Sequence, residues 1–239
     1  MFLPTKFLAP LCRATFALLI LLAGTVDARP LSVVLFPGDP AMQTAVNAVR
    51  QLRQDKALKD VRFRIVSSSS PGKDDIDALA RADVGLIYNM GRELANTLEP
   101  AVASLRERKA HAYAVGAPYE EGEQRIGLTR DETLREYAQA GGADNYAAMI
   151  RLMLARDFDL PLKTVPPRPF PAIGIWAPGS GEVFDRFESF RDAYLRSHPD
   201  RSDRQWVGLV FNRVTAQAGS SLLLDAMIKA IEVRGFNVI

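Results

Sequence analysis

The sequence predicts an α/β protein built as two Rossmann-like parallel-sheet units joined by a Pro-rich linker and preceded by a signal peptide. Three observations carry that reading. Between residues 31 and 115, short apolar runs rich in β-branched residues alternate with helical patterns about every 25 residues. That rhythm favours parallel strands with crossover helices. Residues 161–171 (PLKTVPPRPFP) carry five prolines, so they can be neither helix nor central strand and read as a stiff connector. Residues 1–28 open with Lys6 and Arg13, continue through the apolar run ATFALLILLAG and reach Val26 and Ala28 ahead of a cleavage point. A charged lead, a short apolar core and small residues at the cut mark a secretory signal. The division is therefore 1–28 signal peptide, 29–160 N-terminal α/β domain, 161–171 linker and 172–239 the start of a second α/β domain.

Residues 31–36 (LSVVLF) read as a buried strand closed by Pro37 and Gly38. Asp39 and Pro40 have the cap-then-proline chemistry that opens a helix, predicted over 41–56 with Val46, Val49 and Leu52 on one face. Residues 61–66 (VRFRIV) alternate as a half-exposed strand does. A serine-rich break at 67–72 precedes a short helix over 74–81. Residues 83–88 (DVGLIY) form the next strand and 91–108 a long amphipathic helix, which Pro100 should bend or interrupt. Residues 110–115 (AHAYAV) make a fourth strand. An acidic loop is expected over 118–127, then helices over 131–140 and 144–156 parted by Gly141 and Gly142. Beyond the linker the reading is strand 172–176, helix 184–197, strand 206–211, helix 220–234 capped by Gly235, and the beginning of a strand at 236–239. A last strand that stops so soon reads either as a short edge or as the front part of a longer protein.

Composition bounds the chemistry. The single cysteine, Cys12, lies in the signal, so the mature chain has neither disulfides nor thiolate chemistry. Cleavage after Ala28 removes Lys6, Arg13 and Asp27 and takes the formal charge from +2 to +1, which gives no electrostatic case for nucleic acid. The apolar run of the signal is short of the ~20 residues that span a bilayer, so no stable membrane span is expected. The chain is expected to be exported to a periplasm, with anchoring at the inner membrane by an uncleaved signal as the alternative.

No complete active site is legible. Metal sites need several close ligands, whereas the mature chain offers His111 in a strand and His198 at a helix end, far apart. Ser180 and the serines at 67–70 lack the strand–turn–helix setting of a catalytic serine. The acidic pairs Asp74-Asp75, Glu120-Glu121 and Asp131-Glu132 read as helix starts and solvated loops. The turns 88–91 and 116–118 follow strands without matching a phosphate-binding glycine pattern. They do lie where open α/β sheets place ligands, at the carboxyl ends of strands. Asn89 and Gly91 are candidate ligand-binding residues on that ground, and Trp176, an aromatic beside the linker, is a third. The stripe of Phe184, Phe187, Phe190 and Tyr194 reads as core. No catalytic residue and no metal ligand is assigned.

Segments 82–94 (ADVGLIYNMGREL), 141–145 (GGADN), 174–178 (GIWAP), and 206–211 (WVGLVF) with 224–238 (LDAMIKAIEVRGFNV) stand in an order and spacing that resembles the N-terminal region of the cobaltochelatase large subunit and the magnesium-chelatase H subunit. The resemblance covers most of the mature chain. It implies a piece of a cobaltochelatase-like large subunit, a ligase when complete, that binds a tetrapyrrole and inserts or removes a metal, related to cobalamin or haem. By itself this segment is expected not to be catalytic. The implied ligand is a tetrapyrrole with cobalt or another divalent metal. ATP would enter only through chelatase ATPase partner subunits, if the protein were cytoplasmic. Two positions depart from the family: Ala177 stands where an imidazole is common, between Trp176 and Pro178, and Asn212 where an aromatic is common. An exported relative has no ATP at hand, so carrying or stripping a metallated tetrapyrrole fits that compartment better than making one. The alternative is an exported, non-enzymatic α/β ligand-binding module.

Overall fold

The structure, a computed structural model, describes residues 29–88, 92–116, 120–171, 173–177, 182–212, 215 and 222–239. The signal peptide predicted over 1–28 lies outside the described residues, as do Asn89 and Gly91. By contacts, residues 31–239 form one unit.

The first half is a parallel sheet with helices on both faces. Its strands are β1 (Leu31–Phe36), β2 (Val61–Ile65), β3 (Val84–Ile87), β4 (His111–Ala114) and β5 (Thr129–Arg130), ordered β2-β1-β3-β4-β5, all parallel. Central strands are buried on both sides, which is why their sequences are almost unbroken apolar runs. Successive side chains point to opposite faces, so Val33 and Leu35 enter one core and Val34 and Phe36 the other. The first core is covered by α1 (Met42–Leu52), α5 (Glu132–Ala140) and α6 (Gly142–Phe158). The second is covered by α2 (Lys73–Arg81), α3 (Arg92–Glu107) and α4 (Glu120–Ile126). Leu35, Leu86, Leu98 and Met149 are fully buried, each contributing about 1.5–3 kcal/mol by removal from water. β2 lies at the edge, and its alternation leaves Arg62 and Arg64 exposed as the pattern predicted.

Several expectations shift. α1 ends at Leu52, because Asp55 turns outward to cap a separate short 3₁₀ turn, accepting from the Ala57 amide at 3.0 Å. α3 runs on through Pro100, whose missing N–H costs little on the exposed side of the helix. The loop expected over 118–127 contains α4, and Gly127, at φ 80°, turns the chain into β5. The Asp131 carboxylate caps α5 by accepting from the Leu134 amide at 3.0 Å.

Residues 161–171 have no regular secondary structure and lie along α5 and α6. Tyr137 Oη donates to the Val165 carbonyl at 2.6 Å, and the Phe170 amide to the Ala140 carbonyl at 3.3 Å. The Asn145 side chain pairs with Arg168 in both directions, Nδ2 donating to its carbonyl at 2.7 Å and Oδ1 accepting from its amide at 2.8 Å.

The remaining elements are β6 (Ile175–Trp176), β7 (Val183–Phe184), α7 (Phe187–Ser197), β8 (Trp206–Val207), α8 (Leu222–Glu232) and β9 (Asn237–Val238). A parallel sheet was expected here. The described strands instead make an antiparallel β6–β7 hairpin and a separate parallel β8–β9 pair. Phe184 pairs with Ile175 across the hairpin, so the helix expected from 184 begins at Phe187. The strand expected over 206–211 is cut to Trp206–Val207 because its partner is only two residues long.

Candidate functional site

The site is assembled from α7 upward. Its periodicity sets Phe187, Phe190, Tyr194 and His198 along one stripe. One flank of the stripe receives Trp206, whose ring meets Phe187, Phe190 and Tyr194 edge-on at centroid distances of 5.3, 5.9 and 5.2 Å. This is the core role the sequence suggested. The other flank is open: Phe184, Phe190, Tyr194 and His198 line a cavity of 310 Å³, closed by Trp176, Ala177, Leu209, Phe211, Ile228, Glu232 and Val238. The aromatic stripe is thus both core and cavity wall.

Trp176, singled out from the sequence, stands at the centre. Its ring meets Phe211 edge-on at 5.7 Å, and both residues also line a second cavity, of 420 Å³, bounded by Phe170, Ile173 and Val210. Gly174 permits the tight hairpin that presents Trp176, since a side chain there would run into Val183. Ala177 offers no ligating atom. The imidazole in this cavity is that of His198.

One polar cluster borders the apolar walls. Tyr194 Oη donates to Glu232 Oε1 at 2.7 Å, and Arg201 Nη1 donates to both, at 2.6 Å each. Burial first, and then the bond to Glu232, raise the Tyr194 phenol above its ordinary pKa, so it remains a neutral donor. His198 caps the C-terminal end of α7. Its ring stacks on Tyr194 at 4.5 Å, and its Nδ1 lies 3.1 Å from the Tyr194 carbonyl oxygen. Among the described residues, no three His, Cys, Asp or Glu side chains gather as a metal cluster. Likewise no helix there is long and apolar enough to cross a membrane.

A third cavity, polar and of 690 Å³, lies beyond the carboxyl ends of β1 and β2, lined by Asp39, Ser68, Ser69, Ser70, Arg92, Glu93 and Thr97. Asp39 accepts hydroxyl hydrogen bonds from Ser67 and Ser69. The strand order places the reversal of winding between β1 and β3, the position where such sheets bind ligands. Asn89 and Gly91, proposed for this edge, are not described, while Arg92 directly after them lines the cavity. Of the three sequence candidates, Trp176 is the one that lies among the described residues. His198, Tyr194, Phe211 and Glu232 were missed. The only signal for His198 was its place four residues after Tyr194 on the aromatic stripe.

Comparison with known proteins gives a partial family match and a similar fold. A family model described as CobN/Magnesium Chelatase matches residues 135–239, the segment that contains every residue lining the aromatic cavity. The fold resembles that of the catalytic subunit of cobaltochelatase from Mycobacterium tuberculosis, with a TM-score of 0.54 at 15% identity over 87% of this chain. The chain spans 16% of that subunit's length. No curated protein matches the sequence significantly. Residues 135–239 are thus similar to the CobN/magnesium chelatase family.

Proposed function

We propose that the chain is part of a cobaltochelatase-like large subunit and that it binds a tetrapyrrole whose metal is inserted, carried or removed. The observation that carries this reading is the aromatic cavity, formed wholly by residues of the family-matched segment. Its rings and aliphatic walls suit a flat, conjugated, apolar ligand. At 310 Å³ the cavity takes the edge of a macrocycle and not its whole area. The chain does not do the chemistry alone on this reading, and ATP is consumed by partner subunits where insertion occurs. If residues 1–28 direct export, carriage or metal removal is the role that needs no ATP.

The test is titration of the chain with metal-free protoporphyrin, haem and a cobalt corrinoid, followed by the absorption of the ligand. Micromolar binding of at least one is expected, weakened on the order of tenfold by Phe211→Ala through loss of an aromatic wall. Absence of binding to all three overturns the proposal. The polar cavity near Asp39 favours a second reading, a module that binds a small hydroxylated solute. That reading predicts thermal protection by such solutes and indifference to every porphyrin.

A further inference from the structure

We infer that His198 is an axial ligand, through Nε2, for the metal of a metallated tetrapyrrole seated against the aromatic cavity. This rests on the tetrapyrrole reading and adds to it the atom that meets the metal. The tautomer comes first. His198 Nδ1 lies 3.1 Å from the carbonyl oxygen of Tyr194, and a carbonyl has no hydrogen to give. Nδ1 therefore carries the proton, and the lone pair of the neutral ring is on Nε2. Metal-binding histidines are held in this way: a hydrogen bond from one ring nitrogen fixes orientation and makes the other more basic.

The ring is also held in place. It stacks on Tyr194 at 4.5 Å, and the His198 backbone amide donates to the same carbonyl at 3.0 Å. Nε2 has no hydrogen-bond partner among the described residues. His198 is half-buried and lines the cavity, so a ligand entering it meets the imidazole. The neighbouring polar groups are engaged with each other, Glu232 Oε1 accepting from both Tyr194 and Arg201.

The groups around His198 bear on the ligand's chemical class. The chain has one other histidine, His111, and that ring is bound to Tyr113 in the first half of the fold. Glu182 and Glu232 also line the cavity, Glu232 held by Tyr194 and Arg201, and among the described residues no three His, Cys, Asp or Glu side chains gather as a metal cluster. One imidazole suits a metal that arrives with its equatorial positions already filled, as in a macrocycle.

The experiment compares the 239-residue chain with its His198→Ala and His198→Gln variants, each titrated with haem, cobalt(III) protoporphyrin and metal-free protoporphyrin. Absorption spectra and electron paramagnetic resonance of the haem iron are recorded. In the native chain both metalloporphyrins should show nitrogen ligation. Both variants should lose it, with haem affinity falling on the order of tenfold or more. Added imidazole should restore the spectrum of His198→Ala, and metal-free protoporphyrin should bind all three proteins equally. Identical haem spectra in native and variant chains overturn the inference. So does an equal loss of metal-free protoporphyrin in the variants, which shows a structural role. If metal-free protoporphyrin binds the native chain while haem shows no nitrogen ligation, this inference fails and the tetrapyrrole reading stands. If no porphyrin binds the native chain, both fail.

Discussion

Tyr113 concentrates the electrostatics of the first half in one hydroxyl. Its Oη donates to Asp157 Oδ2 at 2.7 Å and accepts from Arg156 Nη2 at 3.1 Å, with His111 Nδ1 at 3.2 Å. Arg156 also reaches Asp157 Oδ1 at 2.6 Å and Asp131 Oδ2 at 2.5 Å. Burial, and then the bond to Asp157, push the Tyr113 phenol up to about 12 from 10. Burial pushes Asp157 the other way from its final state, but the bonds from Arg156 and Tyr113 outweigh it and hold the carboxyl below its usual range. The signs differ. The phenol's folded pKa lies above its unfolded value, so its contribution is full below pH 10 and is lost as pH rises towards about 12. The carboxyl's folded pKa is depressed, so its contribution is present above the unfolded value and lost as pH falls through the folded one. Tyr113→Phe should cost about 1–3 kcal/mol at neutral pH by leaving Asp157 short of a donor. It should also flatten the alkaline decline in denaturant-measured stability, and equal declines in both proteins would refute the assignment. The sequence placed His111 in a strand and no more, because its partners Tyr113 and Asp157 are 44 residues apart and meet only when α6 closes on β4.

The elements show where periodicity speaks and where it is silent. β1 to β4 and the helices α1, α2, α3, α5 and α6 were legible, each being long enough for its period to repeat. α4 and β5 were not: α4 has seven residues, one of them Gly122, too few for a stripe to repeat, and β5 has two. β6 to β9 each have two residues, too short for alternation to register, and the β6–β7 hairpin depends on contacts between Gly174 and Val183 that no local pattern announces. The proline run was legible as non-helical, but its attachment was not. Asn145 makes that attachment, being buried while its side chain bonds the Arg168 backbone twice. Asn145→Ala should cost about 2–3 kcal/mol, the sum of two lost bonds and an orphaned peptide. Limited proteolysis should then cut within 161–171 much faster than in the native chain. Unchanged cleavage would show that the prolines hold the segment unaided.

Across the molecule, the two halves differ in how apolar surface is treated. In the sheet of the first half, alternate residues feed two closed cores. In α8, by contrast, Leu222 and Leu223 are 83% and 73% exposed, and Leu224 is the buried residue of that helix. Exposed leucines contribute nothing to stability and promote association. A Leu222→Glu, Leu223→Glu double variant should bind less hydrophobic dye and self-associate less, while its unfolding free energy stays within about 0.5 kcal/mol of native. A large loss of stability would mean that these side chains pack in solution. The candidate site was only partly legible at this scale. Trp176 was singled out because aromatics near a linker are conspicuous, whereas the other walls of the cavity it lines come from β7, α7, α8 and the segment after β8 and assemble only in three dimensions.

The chain contains two tryptophans, Trp176 and Trp206, and the fold gives them separate duties. Trp206 is wedged against α7, while Trp176 forms the partition between two hollows. Their fluorescence is therefore divided by position: emission from Trp206 reports whether the helix is docked, and emission from Trp176 reports what touches the partition. A single phenylalanine replacement at either position isolates one signal, so folding and occupancy can be watched independently in the same solution.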